Sequence, residues 1–274
     1  MNWLRFGCLS LAAVTAVLVG SIAAHAEQDN LRPDGCKTLD EDFRKVEFPA
    51  GARVELLLAA GNTIPADRQS SYAEMAKAVL ACAGPGTRIE LLPITDTGLG
   101  RAPAFSAFVP TPPPHNSNPL RLQLERDEFV KSGAAVIDSV VARTRTYGGF
   151  DPLGTLHAAG DSLHSAPSSS KFLVIMIGNG WQQTKTANIF RYNENPARHA
   201  DDVIRKLHAD GTLPNLSATE VIIVGIAPGE PRLKMGSAEI AGLCNFWRAV
   251  VAAAGGTIRP GNCASVLRGF TVPF

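Results

Sequence analysis

From Arg53 onward the chain alternates short, unbroken apolar runs with longer stretches whose apolar residues recur at helical spacing. Val54-Glu55-Leu56-Leu57-Leu58 carries no helix caps and reads as a buried strand. Ala66 to Ala83 sets Tyr72, Met75, Ala76, Val79 and Leu80 on one helical face, and Gly84-Pro85-Gly86 ends it. Arg88 to Ile94 is a second strand. Ala104 to Val109 is a short edge strand, because the proline run Pro112-Pro113-Pro114 beyond it cannot enter a sheet interior.

The second half repeats the alternation. Leu120 to Arg145 is helical through Leu122, Phe129, Ala134, Ile137 and Val141, and Pro152 opens a further helix to Leu163. Lys171 to Ile177 is the most apolar run and is expected at the centre of the sheet. Ala197 to Ala209 reads as a surface helix, Glu220 to Ile226 as a strand, and Ala238 to Ala254 as a last helix with Phe246 and Trp247 in the core. Val266 to Val272 is expected to add a final edge strand. Helices alternating with buried strands predict a doubly wound α/β domain over residues 53–274, its sheet mostly parallel with one antiparallel edge and helices on both faces.

Composition narrows the partners. The 274 residues hold 26 Lys plus Arg against 25 Asp plus Glu and only 7% aromatics, which gives neither a basic face nor a stacking surface for nucleic acid. The N-terminus changes the compartment. Arg5 precedes an apolar run from Leu9 to Val19, and Ala24-His25-Ala26 is a small-x-small triplet, the pattern of a signal peptide over residues 1–26. Cleavage after Ala26 implies a secreted or periplasmic chain, with membrane attachment only if the segment stays uncleaved. A polar arm, residues 27–52, then leads into the domain. Cys8 leaves with the signal, so Cys36, Cys82, Cys244 and Cys263 remain in an oxidising compartment and suggest two disulfides. Cys244 with Cys263 and Cys36 with Cys82 is the favoured pairing.

Ligands on such sheets dock beside the C-terminal ends of the strands, so the segments just after each strand carry the chemistry. They are Ala59-Ala60-Gly61-Asn62-Thr63 after the first strand, Gly149-Phe150-Asp151-Pro152-Leu153-Gly154 before the helix at Pro152, and Gly178-Asn179-Gly180-Trp181-Gln182 after the central strand. In this order the segments resemble the three metal-site segments of von Willebrand factor A domains, over roughly residues 53 to 260. An Asp-x-Ser-x-Ser motif falls on Ala59, Gly61 and Thr63. A threonine of the second segment falls on Asp151, and a Ser/Thr-Asp-Gly motif on Gly178-Asn179-Gly180.

The resemblance implies an adhesion site in which Mg²⁺ is held by hydroxyls and carboxylates and completed by a partner's acidic group. This chain departs from that pattern, with Ala59, Gly61 and Asn179 where the ligands belong. One carboxylate, Asp151, and one hydroxyl, Thr63, make a poor site for a hard cation, so no cofactor is expected beyond weakly held Mg²⁺. Asp151 also fits a helix N-cap ahead of Pro152. The rim expected to touch a partner is Asn62, Thr63, Asp151, Asn179, Trp181 and Gln182, with Trp181 either an interface anchor or packed over the loop that follows. The resulting expectation is an exported module that binds a protein of the envelope or secreted space and is not an enzyme. The alternatives are cation-dependent adhesion through Asp151 and Thr63, and a periplasmic hydrolase, for which no nucleophile and base pair is evident. His157, Asp161 and His164 share one helix face and are a weaker zinc candidate.

Overall fold

The structure is a computed structural model that describes residues 51–60, 64, 66–96, 102–111, 118–142, 150–165, 171–184, 187–189, 196–226, 237–261 and 263–264. The signal, the arm up to residue 50 with Cys36, Asn62, Thr63 and the strand expected at 266–272 lie outside those residues.

The strands are β1 (Arg53–Ala59), β2 (Arg88–Ile94), β3 (Phe105–Phe108), β4 (Phe172–Ile177), β5 (Thr219–Val224) and β6 (Cys263–Ala264). The helices are α1 (Ala66–Cys82), α2 (Pro119–Ala142), α3 (Pro152–His164), α4 (Ala200–Ala209) and α5 (Ser237–Ala253), with a 3-10 turn at Pro196–His199 leading into α4. One six-stranded sheet has the order β3-β2-β1-β4-β5-β6. All neighbours are parallel except β2 and β3. The chain thus builds outward from β1 on one side, then returns and builds outward from β4 on the other. The reversal leaves a crevice at the C-terminal ends of β1 and β4, where ligands of doubly wound sheets bind.

The apolar runs have their cause in this order. β1 and β4 are central and covered on both faces, so Leu56 lies in register with Leu91 and Ile175, all buried. On the edge, β3 alternates half-buried and exposed residues, with Phe105 stacked obliquely on Phe129 of α2 at 5.8 Å between rings. One polar side chain completes a helix end inside the core. The buried Arg126 of α2 donates to the carbonyls of Ala81 at 2.7 Å and Ala83 at 2.9 Å, meeting the negative end of α1.

Phe246 and Trp247 are fully buried and meet edge to face at 5.4 Å, as the sequence predicts. Cys244 and Cys263 form a disulfide, Cα to Cα 5.8 Å, tying α5 to β6. Cys82 is disulfide-bonded as well, to a partner outside the described residues. Among the described residues no helix is long and apolar enough to cross a membrane.

Candidate functional site

At the crevice, β1 ends on Ala59 and Ala60, both buried, and β4 runs into Gly178. A Cβ built on Gly178 would lie 2.7 Å from the Cβ of Ala59, so the two strand ends touch with no room for a further side chain. The Gly178 amide donates to Val224 O at 2.9 Å and stays within the sheet ladder. One of the positions where the family resemblance places an oxygen ligand, Ala59, is therefore occupied by close apolar packing.

Asp151 does the work of a cap. Its Oδ1 accepts from the Gly154 amide at 3.0 Å, and Pro152 takes the first helical position, where no amide is needed. The carboxylate also lies at the positive end of the α3 dipole. Its own amide donates to Thr95 O at 2.7 Å, which fastens the start of α3 to the end of β2.

Gln182 completes this arrangement from the β4 side. Its Oε1 accepts from the Leu153 amide at 3.0 Å, while its Nε2 donates to Asp151 Oδ1 at 2.8 Å and to Thr184 Oγ1 at 2.9 Å. The amide can sit only this way round, since a backbone N–H requires the carbonyl and a carboxylate requires the NH₂. The Gln183 amide adds a bond to Phe150 O at 2.7 Å, and the Ile189 amide returns to Gln182 O at 2.9 Å. The side chain of Gln183 points out and is exposed.

The structure brings Asp151 and Gln182 of the expected rim into contact, but turns three rim side chains inward. Gln182 is 1% exposed, Trp181 7% and Asn179 8%. Trp181 belongs to the core cluster together with Ala187 and Ile189, so of its two expected roles the packed one is realised. The Asn179 Oδ1 accepts from the Trp181 amide at 3.2 Å, a local turn that satisfies the strand exit. A partner docking on this edge would not meet these three side chains directly. For Gln182 the physical reason is the start of α3, whose Leu153 amide and capping Asp151 draw the polar side chain down onto it.

A hard divalent cation wants several oxygen ligands, carboxylates among them. Here Asp151 Oδ1 and Asn179 Oδ1 already face donors: Asp151 Oδ1 accepts from an amide and from the Gln182 NH₂, and Asn179 Oδ1 accepts from an amide. As placed among the described residues, these two engaged oxygens do not fit such an ion. His157 and Asp161 approach to 3.6 Å, whereas His164 faces the Gly160 carbonyl at 3.0 Å. Among the described residues no three His, Cys, Asp or Glu gather closely enough to hold a metal.

A second polar cluster lies toward the opposite end of the strands. Glu55 of β1 and Glu90 of β2 are register partners, both buried. Glu90 receives Ser162 Oγ at 2.7 Å, Ser106 Oγ at 3.1 Å and the Arg88 guanidinium. Burial pushes Glu90 up, but those hydrogen bonds and the Arg88 charge outweigh it and hold its carboxyl below the usual range. Glu55 has weaker support: a Ser162 hydrogen bond and the Arg53 and Arg88 charges pull its pKa down, but its Oε2 has no hydrogen-bond partner among the described residues. Burial, reinforced by the neighbouring Glu90 charge, pushes Glu55 up to about 8. The pair has a sequence signal in the repeated Arg-x-Glu-Leu-Leu of Arg53–Leu57 and Arg88–Leu92.

No protein-family model matches the chain, and no curated protein does. Three solved structures, all von Willebrand factor A-like folds, are similar at low identity. The conserved hypothetical protein BatB from Bacteroides thetaiotaomicron is 11% identical, with 76% of this chain and 89% of that one covered and a TM-score of 0.36. The manganese-loaded TRAP protein from Plasmodium vivax is 12% identical, with 77% and 69% covered and a TM-score of 0.33. The pilus adhesin SpaC from Lactobacillus rhamnosus GG, in an open conformation, is 9% identical, with 78% and 28% covered and a TM-score of 0.42. The strand order and the one antiparallel edge make this domain a doubly wound, mostly parallel α/β fold.

Proposed function

We propose that this chain is an exported protein-interaction module that docks a partner of the envelope or secreted space on the edge formed by the ends of β1 and β4 and the start of α3. Docking would proceed without a tightly bound divalent cation. One observation carries this reading: the segment after β4 is tied to the start of α3 by hydrogen bonds through the buried Gln182, which leaves a firm edge with Gln183 exposed on it. The disulfides suit an oxidising compartment and thereby support export.

The test is capture from the native envelope fraction with the mature chain as bait, in Mg²⁺ and in EDTA, beside Gln183→Arg. The expected result is one partner retained in both buffers and lost by the variant, because a charge on the edge opposes docking. Capture that survives Gln183→Arg would move the docking surface elsewhere, and capture lost in EDTA would restore the cation-dependent alternative.

A further inference from the structure

In the fold this domain resembles, loops of separate strands meet around a cation, and the donors here do not fit one. Something else must hold those loops against each other, because each is a strand exit with backbone groups to satisfy. Between the β4 exit and the start of α3, the buried side chain that reaches across is Gln182. It bonds to the backbone of α3 at Leu153, to the capping carboxylate of Asp151 and to Thr184 on its own loop, at 3.0, 2.8 and 2.9 Å. We propose that Gln182 is the positioning residue of this edge, a neutral side-chain bridge standing where the fold ordinarily uses a divalent cation. The inference rests on the docking reading for what the edge serves, not for how it is held.

The chemistry favours this assignment over an ion that shares the site. An amide NH₂ presents hydrogens to Asp151 Oδ1, so the direction from which a cation would approach that oxygen is filled by the positive end of a dipole. The same amide offers its carbonyl to Leu153 N–H, which a cation could never satisfy. Three of the four hydrogen bonds open to a glutamine amide are made, and the side chain is 1% exposed. A half-satisfied amide at that depth would be costly, and a satisfied one fixes a single loop arrangement.

The experiment uses the mature chain and two variants, Gln182→Met, which keeps bulk and removes the amide, and Thr184→Val, which removes one acceptor. Hydrogen exchange is read at the Leu153 and Gln183 amides, and thermal midpoints are read in EDTA and in Mg²⁺. For the unsubstituted chain the expected midpoint is the same in both buffers. In Gln182→Met the Leu153 amide should exchange about tenfold faster or more, with β1 and β4 unchanged. Thr184→Val should shift it in the same direction by less, and serves alone if Gln182→Met does not fold. Unchanged exchange in the variants that fold would overturn the bridge, as would Mg²⁺ raising the midpoint of the unsubstituted chain. Faster exchange at Leu153 with no partner captured in any buffer would leave the bridge standing and remove the docking reading instead.

Discussion

Glu55 and Glu90 face each other in register on adjacent parallel strands, and Glu90 takes hydrogen bonds from Ser162 and Ser106 and the Arg88 charge, while the Glu55 Oε2 has no hydrogen-bond partner among the described residues. One member of the pair is therefore kept charged and the other is pushed toward its neutral form. Glu55 binds its proton more tightly folded, near 8, than unfolded, near the ordinary 4.5. Between those values the native state holds more protons, so stability falls as pH rises, by up to about 1.4 kcal/mol per pH unit. The loss is complete above the folded value and absent below the unfolded one. Glu90 acts in the opposite sense in acid, where stability is lost as pH falls through its lowered folded pKa. Urea titrations from pH 5 to 9 should show the alkaline decline, and Glu55→Gln should flatten it. A wild-type midpoint that stays level over that range would refute a proton on Glu55.

Gly154 allows the Asp151 cap to exist, because a methyl built at position 154 would be driven into the Asp151 carboxylate. Alanine is the better helix former, so on an exposed helix the exchange would stabilise by about 1 kcal/mol. Here the sign should reverse: Gly154→Ala must displace a group that holds both the Gly154 amide and Gln182. Loss of an N-cap costs about 1 kcal/mol and a buried unsatisfied donor about 1–3 kcal/mol. Chemical denaturation of Gly154→Ala and Asp151→Ala, alone and combined, tests the idea. The two effects should overlap strongly, and full additivity would show that they act through different contacts.

Restoring one ligand position should fail, for a packing reason. Ala59 is 3% exposed and its Cβ faces Gly178. A carboxylate introduced at 59 is buried beside another backbone with no donor aimed at it, which costs several kcal/mol or forces the group to stay protonated. Ala59→Asp should lower the melting temperature without giving saturable Mg²⁺ binding by calorimetry. Tight Mg²⁺ uptake by that single variant would mean that the edge can open to build a site.

The sheet was legible because β1, β2, β4 and β5 are buried and show it as unbroken apolar runs, while Asp151 followed by Pro152 marks the start of α3. The edge itself was legible only as a place. Asn179, Trp181 and Gln182 follow a strand, where alternation ends and polar residues ordinarily face water. The inward turn of Gln182 is decided by a distant partner, the start of α3, which lies about 30 residues earlier in the chain, while Asn179 turns onto the Trp181 amide and Trp181 joins the core cluster. The Glu55 and Glu90 pair was overlooked for a related reason. Each acid sits inside a run apolar enough to read as a strand despite it, and only their common register makes them a cluster. At the C-terminal side the strand expected at 266–272 lies outside the described residues, whose last strand is Cys263–Ala264.

That two-residue strand depends on its disulfide. Among the described residues β6 pairs with β5 at Ile223 with Cys263 and Val224 with Ala264, too short a ladder to hold an edge by itself. Cys244 on α5 anchors it from a buried position, across a sequence separation of 19 residues. Closing a loop of that size removes unfolded-state entropy worth about 3 kcal/mol. The paired substitution Cys244→Ser with Cys263→Ser avoids reducing Cys82 and should lower stability by about 2–4 kcal/mol. Exchange at the β6 amides should rise toward that of an unstructured chain, while β1 and β4 keep their protection relative to the new global stability. An unchanged denaturation midpoint would mean that β6 is held by its neighbours and that the bridge only records their proximity.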